Sequence, residues 1–433
     1  MKKLIIFSSF YVGSTAFLKL VGFFLIMWLA RVLTVDDYAQ FGLLYALQTG
    51  ITTFALAGII EAVVGLLKKY QMEEKRKLLF SAANISFFII TGIVIAIAAI
   101  ILFVSEKNTV NSFFTLTCVL VSGALLAFAS LQAQLVRIEE RHVHSLLFNF
   151  FPPLAGFVGA LVAFFIRRTV ASFYIGSLIG IAIILLIFKI CQIGFYSNKE
   201  SVDETKLILI RIVPFIAIAF FGWLSGFGNN YVVKIFFDPS QVARFTFALS
   251  LASVMQLVAS ALNQVWAPRF YRIAHEQSFD EVEKNNKRIF GFLNLGLGLV
   301  GAILVATFPY VMRLLGGNLI NYQNMRVEIF LLTISYLLLI PWWYCYNYFL
   351  VYDKGHMIMK IVVFTGIVGI LIWLMLIWNF GSIGIYMGFL VQMLIRSVGI
   401  FVVARKIWAL KYSFFKLIWS ILIVLLGLLV SFL

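Results

Sequence analysis

The sequence predicts an all-α polytopic membrane protein, and three observations predict it. Hydrophobic residues make up 63% of the 433, and charged residues only 12%, about half the charged share of a soluble domain. The apolar residues come in runs of about 20 to 27, the length a helix needs to cross a bilayer. Those runs are continuous in polarity, whereas the strands of a membrane barrel are about ten residues long and alternate.

Taken in order, the runs place spans near 4–30, 41–67, 79–104, 109–136, 143–166 and 169–190. Six more lie near 208–233, 241–266, 289–313, 326–351, 357–379 and 381–404, and a last run covers 414–432. The first run follows Lys2 and Lys3, as a signal peptide would. It is too long for one and no small-residue cleavage site follows, so an uncleaved first span is expected. The expected architecture is about 12 transmembrane helices in two parallel six-helix lobes, 1–190 and 208–404. A cytoplasmic linker, 191–207, joins them, and 405–433 adds a thirteenth hydrophobic segment.

Orientation follows from the loops. Most of the 34 Lys and Arg residues fall on the side of the N-terminus, for example Lys75, Arg76, Lys77, Arg269, Arg272, Lys284, Lys287 and Arg288. Positive loops stay in the cytoplasm, so the N-terminus is expected there. The net charge of +16 is then a topology signal and a basic face toward anionic membrane lipids. No nucleic-acid partner is implied.

Nothing in the chain makes a catalytic constellation. Cys118, Cys191 and Cys345 lie in or beside apolar runs without metal-ligand spacing, and the four histidines lack ligand partners. No metal and no cofactor are expected. The two longest loops, 191–207 and 267–288, are short and lie on one side, so no extramembrane domain is left to carry chemistry, and the protein is not expected to be an enzyme.

Two hydrophilic gaps repeat one another. RVLTVDDYAQFG, Arg31–Gly42, separates the first two spans, and FFDPSQVARF, Phe236–Phe245, separates the seventh and eighth. A shift of 204 residues lays Ala39 on Ala243 and Phe41 on Phe245. Parallel six-span halves related by an axis along the membrane normal would give this echo. In the first gap, the acids and Thr34 suit a tight outer turn that caps the start of the second span.

These gaps resemble those of the polysaccharide flippases (Wzx type) in the multidrug/oligosaccharidyl-lipid/polysaccharide exporter superfamily. The resemblance rests on Arg31-Val32-Leu33, Asp36-Asp37-Tyr38 and Phe41-Gly42. It extends to Pro214, Asn229-Asn230, the run FFDPSQVARFTFALSLASV, Leu262-Asn263-Gln264 and Ala267-Pro268-Arg269-Phe270-Tyr271. Ala39 and Ala243 stand where that family more often has glycine, and the thirteenth run exceeds its usual twelve spans. The resemblance implies a flippase of polyprenyl-diphosphate-linked oligosaccharide, an O-antigen, capsular or exopolysaccharide repeat unit, carried from inner to outer leaflet. It also implies residence in the bacterial cytoplasmic (inner) membrane and company with other polysaccharide assembly proteins.

Charges inside spans are where function is sought, because each costs roughly 2.5–3.5 kcal/mol in hydrocarbon unless it meets a partner or water. Lys19 is in the middle of the first span and Arg396 near the cytoplasmic end of the twelfth; Arg31, Lys234 and Arg244 are at outer span ends. Facing one cavity, such groups would hold a diphosphate, through the fork of Arg and the compact charge of Lys. Anchoring at the interface is the competing role of the outer three. Glu61, an acid inside a span, is a candidate for ion coupling or a partner for Lys68 or Lys69. Tyr344 and Tyr348, in the stripe with Tyr352, could stack on sugar or belong to the interfacial aromatic belt. Pro152, Pro153, Pro214, Pro309 and Pro341 could let spans bend. The pairs Gly176/Gly180, Gly222/Gly226 and Gly384/Gly388 suit close helix packing. A drug exporter of the same fold would want more buried acids, and a membrane polymerase would want a large outer loop, so both are weaker alternatives.

Overall fold

The computed structural model describes residues 2–67, 73–105, 110–139, 141–188, 199–352 and 354–432. Each of the apolar runs becomes helical. The first is α1 (Lys2–Val32), and the second is split into α2 (Val35–Leu56) and α3 (Ile59–Leu67). There follow α4 (Glu73–Ser105), α5 (Val110–Ile138), α6 (His142–Arg167) and α7 (Val170–Ile187). The seventh span is α8 (Lys199–Leu224) with the short α9 (Asn229–Phe236), then come α10 (Pro239–Glu276) and α11 (Phe279–Leu315). A 3-10 turn (Gly317–Tyr322) leads to α12 (Arg326–Leu338) and α13 (Ile340–Val351), then α14 (Gly355–Phe380), α15 (Ser382–Trp408) and α16 (Phe414–Val430). Among the described residues, 11 helices are long and apolar enough to cross a membrane, and the 17-residue α16 is shorter.

Three spans are broken, which the apolar pattern does not reveal. Between α2 and α3, Gly58 takes φ +74°, a left-handed conformation that favours glycine. There a Cβ would also meet Phe215 Cβ at 2.5 Å. Between α8 and α9 the chain turns at residues 225–228. Between α12 and α13 the break falls at Leu339, just ahead of Pro341, whose ring and missing N–H oppose a continuous helix. The other prolines do not interrupt: Pro152, Pro153, Pro214 and Pro309 all lie inside unbroken helices.

The two repeated gaps have the same local construction. The Thr34 hydroxyl accepts from the Asp37 backbone N–H at 3.2 Å, ahead of α2. Asp238, 204 residues on, accepts from the Gln241 N–H at 3.0 Å, with Pro239 opening α10. Each thereby satisfies an N–H that the first helical turn leaves without a partner. The aromatics that match across the repeat are both buried and both meet a tyrosine four helical spans later. Phe41 stacks on Tyr174 at 6.2 Å, and Phe245 meets Tyr386 edge-on at 5.8 Å.

The chain forms two compact units: Met1–Leu18 with Gln40–Gly228, and Lys19–Ala39 with Asn229–Leu433. They do not follow the sequence blocks 1–190 and 208–404. Ile208 and Ile212 of α8 are buried in the first unit's core with Ala55, Ile59, Val63, Leu79 and Phe80, so the seventh span packs there. Within the same unit α6 and α7 meet backbone to backbone, since a Cβ on Gly176 would strike the Gly159 carbonyl. In the second unit α14 and α15 pair in the same way, with Gly384 against the Leu376 carbonyl and Gly388 against the Trp373 indole. Gly222 and Gly226 do not behave so. A Cβ on Gly222 would meet open space, and Gly226 lies in the break after α8. The thirteenth segment, α16, packs along α11, where Gly298 meets Ser420 and Gly427 meets Ala302. Cys118 and Cys345 are buried free thiols, and Cys191 lies outside the described residues.

Candidate functional site

The five basic candidates, Lys19, Arg31, Lys234, Arg244 and Arg396, all fall in the second unit. Their surroundings divide them. Lys19 is at the midpoint of α1 and exposed, its ammonium donating to the Ser260 hydroxyl of α10 at 3.1 Å. That hydroxyl in turn donates to the Leu257 carbonyl at 2.9 Å, so a neutral dipole is what the ammonium faces. Among the described residues, Lys19 has no carboxylate partner.

Arg244 has one. Its Nη2 lies 2.9 Å from the Glu328 carboxylate, and the two side chains are only 31% and 16% exposed. Glu328 is in the first turn of α12, where the helix's positive end also favours it. The pair is therefore satisfied internally in this conformation. Beside it, Tyr322 of the 3-10 turn stacks on Phe247 at 4.4 Å. Burial pushes the Tyr322 phenol well above its ordinary pKa, and the Arg244 guanidinium opposes this only in part.

The same 3-10 turn holds the first hydrophilic gap. Asn318 donates its side-chain amide to the Leu33 carbonyl, Tyr322 meets Tyr38 edge-on at 6.1 Å, and Gly317 lies against the stem of Arg31. The Arg31 side chain itself is exposed. Lys234 is exposed in the last turn of α9, where a cation suits the negative helix end.

Arg396 is half-buried on α15. Its guanidinium lies 4.4 Å from the centre of the Trp342 ring, a cation–π contact, and its Nε is buried without a hydrogen bond. One turn before it, the buried Gln392 amide also has neither of its polar atoms hydrogen-bonded.

The remaining candidates read differently in three dimensions. Glu61 is exposed in the first turn of α3, because the break at Gly58 turns a mid-span acid into a helix-start acid. Lys68 and Lys69, its expected partners, lie outside the described residues. Tyr344 and Tyr348 are fully buried. Tyr344 meets Phe290 at 5.6 Å and Tyr412 at 5.2 Å, while Tyr348 meets Phe270 at 4.9 Å. The stripe is real, but it points into an aromatic core and offers no face to a sugar here. Sequence reasoning missed Ser260, Trp342, Gln392 and Asn318. Each is a neutral residue in an ordinary apolar or loop context, and only its contact gives it meaning.

A family model described as polysaccharide biosynthesis protein matches residues 6–274, more than half of the chain. The chain belongs to the polysaccharide biosynthesis family. Among solved structures, this family member is similar to an inward-facing multidrug resistance MATE transporter of the MOP superfamily, with a TM-score of 0.71 and 14% identity over 90% of this chain and 94% of that one. It is also similar to the lipid II flippase MurJ, with a TM-score of 0.62 and 14% identity over 97% of each chain. A eukaryotic MATE transporter aligns with a TM-score of 0.63 and 12% identity over 97% and 96%. No curated protein sequence matches at a significant level. Identities this low speak for the fold alone. That fold is one of multi-pass membrane transporters, and the family adds polysaccharide biosynthesis.

Proposed function

We propose that this protein carries polyprenyl-diphosphate-linked oligosaccharide from the inner to the outer leaflet of the bacterial cytoplasmic membrane by alternating access. Membership in the polysaccharide biosynthesis family supports the sugar, and the likeness to a lipid II flippase is in keeping with a lipid-linked cargo. The observation that carries the anionic part is Lys19. Among the described residues this mid-span ammonium meets a serine hydroxyl and no carboxylate, and a diphosphate entering beside it would supply a counter-charge. Arg396, with an unbonded Nε and its guanidinium over the Trp342 ring, is the second group suited to the cargo.

The experiment is cargo flipping in proteoliposomes, with wild type compared against Lys19→Ala at matched insertion. Flipping by the wild type and its loss in the variant would place Lys19 on the cargo path. Equal flipping would make Lys19 structural. Transport of small organic cations with no flipping of lipid-linked sugar would establish the drug-exporter reading instead.

A further inference from the structure

A second basic site lies away from these residues, between the ends of α10 and α11. A pocket of about 240 Å³ is lined by Trp266, Arg269, Ile273 and Gln277 of the first helix and its cap, and by Asn285, Arg288 and Phe292 of the second. That is roughly eight times the volume water occupies per molecule, small for a sugar chain but ample for one phosphate-bearing headgroup. Both arginines are exposed, and among the described residues neither pairs with a carboxylate. Among the described residues, no acid lines the pocket.

Its depth is legible from the chain. On α11 the charged stretch ending at Lys287-Arg288 gives way to an apolar run in which the next charge is Arg313. Arg288 therefore sits where water meets hydrocarbon. One turn deeper, Phe292 is 62% exposed, so the pocket opens sideways toward lipid. On α10, Trp266 marks the same boundary; its indole donates to Asn286 at 2.9 Å, and Arg269 lies about 4.5 Å farther along the axis. The Arg288 guanidinium is 6.0 Å from the Phe292 ring centre, and one further cation, the Lys416 ammonium of α16, is 5.9 Å from it.

We propose that Arg269 and Arg288 bind the phosphate of an anionic phospholipid headgroup, with the lipid's chains lying over Phe292. The arginine fork matches phosphate oxygens, Asn285 and Gln277 can donate to the glycerol or headgroup hydroxyls, and the sideways opening admits a lipid without removing it from the bilayer.

The test is native mass spectrometry of the protein released from nanodiscs of phosphatidylglycerol mixed with phosphatidylcholine. Wild type is expected to retain phosphatidylglycerol preferentially. Each basic group near an anionic surface gives about fivefold, so the double variant Arg269→Gln/Arg288→Gln should lose roughly thirtyfold. Arg313→Gln, at the far end of α11, should retain lipid as wild type does. Unchanged retention in the double variant, or no preference in wild type, overturns the proposal. So does displacement of the lipid by millimolar inorganic phosphate, which would make this an aqueous phosphate site. Should the glutamine pair fail to fold, Arg269→Lys/Arg288→Lys keeps the charge and loses the fork. It is expected to retain less lipid than wild type, and equal retention overturns the fork assignment.

Discussion

Lys19 and Arg244 are both cations held by α1 or α10 of the second unit, and their partners set their roles. Arg244 faces Glu328 at 2.9 Å in a half-buried pocket, so either truncation strands a charge. Glu328→Ala is expected to cost about 1–3 kcal/mol of stability, and a double-mutant cycle with Arg244→Ala should show coupling of about 1 kcal/mol. Additive effects in detergent melts would show that the pair is screened. Lys19 faces a hydroxyl, so Ser260→Ala should leave flipping nearly intact while Lys19→Ala abolishes it. If Ser260→Ala alone stops flipping, the hydroxyl is needed to hold the ammonium in place, and Lys19 does not act by charge alone.

At the level of helices, breaks and close pairs carry the architecture. Gly58 holds φ +74° with Phe215 of α8 against it, so Gly58→Ala adds about 1–2 kcal/mol of backbone strain before any steric cost. A fall in melting temperature that Gly222→Ala, in open space, does not share is the expected result. Gly388 seats the fully buried Trp373, whose indole donates to the Ile385 carbonyl at 2.8 Å. Gly388→Ala must move that ring, at a cost of about 1–3 kcal/mol, and the quenching or shift of Trp373 fluorescence in an otherwise Trp-depleted background reads it directly.

For the molecule as a whole, charge along the loops sets the orientation, and we infer that the N-terminus faces the cytoplasm. Lys284 and Asn321 lie at opposite ends of the α11 segment and are both exposed. Lys284→Cys should react with an impermeant maleimide only in inverted vesicles, and Asn321→Cys only in intact cells. The reverse pattern would turn the topology over.

The helical class was legible in the chain, because hydrocarbon imposes long apolar helices; about 12 spans and a thirteenth segment were expected, and 11 helices long and apolar enough to cross a membrane stand among the described residues. Thr34 was readable as a cap for the start of α2 and is one, and the structure adds the same role for Asp238 at α10. The GxxxG pairs were legible where two helices meet, at Gly176/Gly180 and Gly384/Gly388, and misleading at Gly222/Gly226, where the helix ends. The breaks inside spans were not legible, since an apolar run looks the same whether its backbone is continuous or not. The break at Gly58 is what moves Glu61 to a helix start. The burial of Tyr344 and Tyr348, the pairing of Arg244 with Glu328, and the transfer of α8 to the first unit depend on residues far apart in the chain. Local sequence determines which groups are costly to bury; only tertiary packing decides which of them find a partner, and so which are left for a cargo.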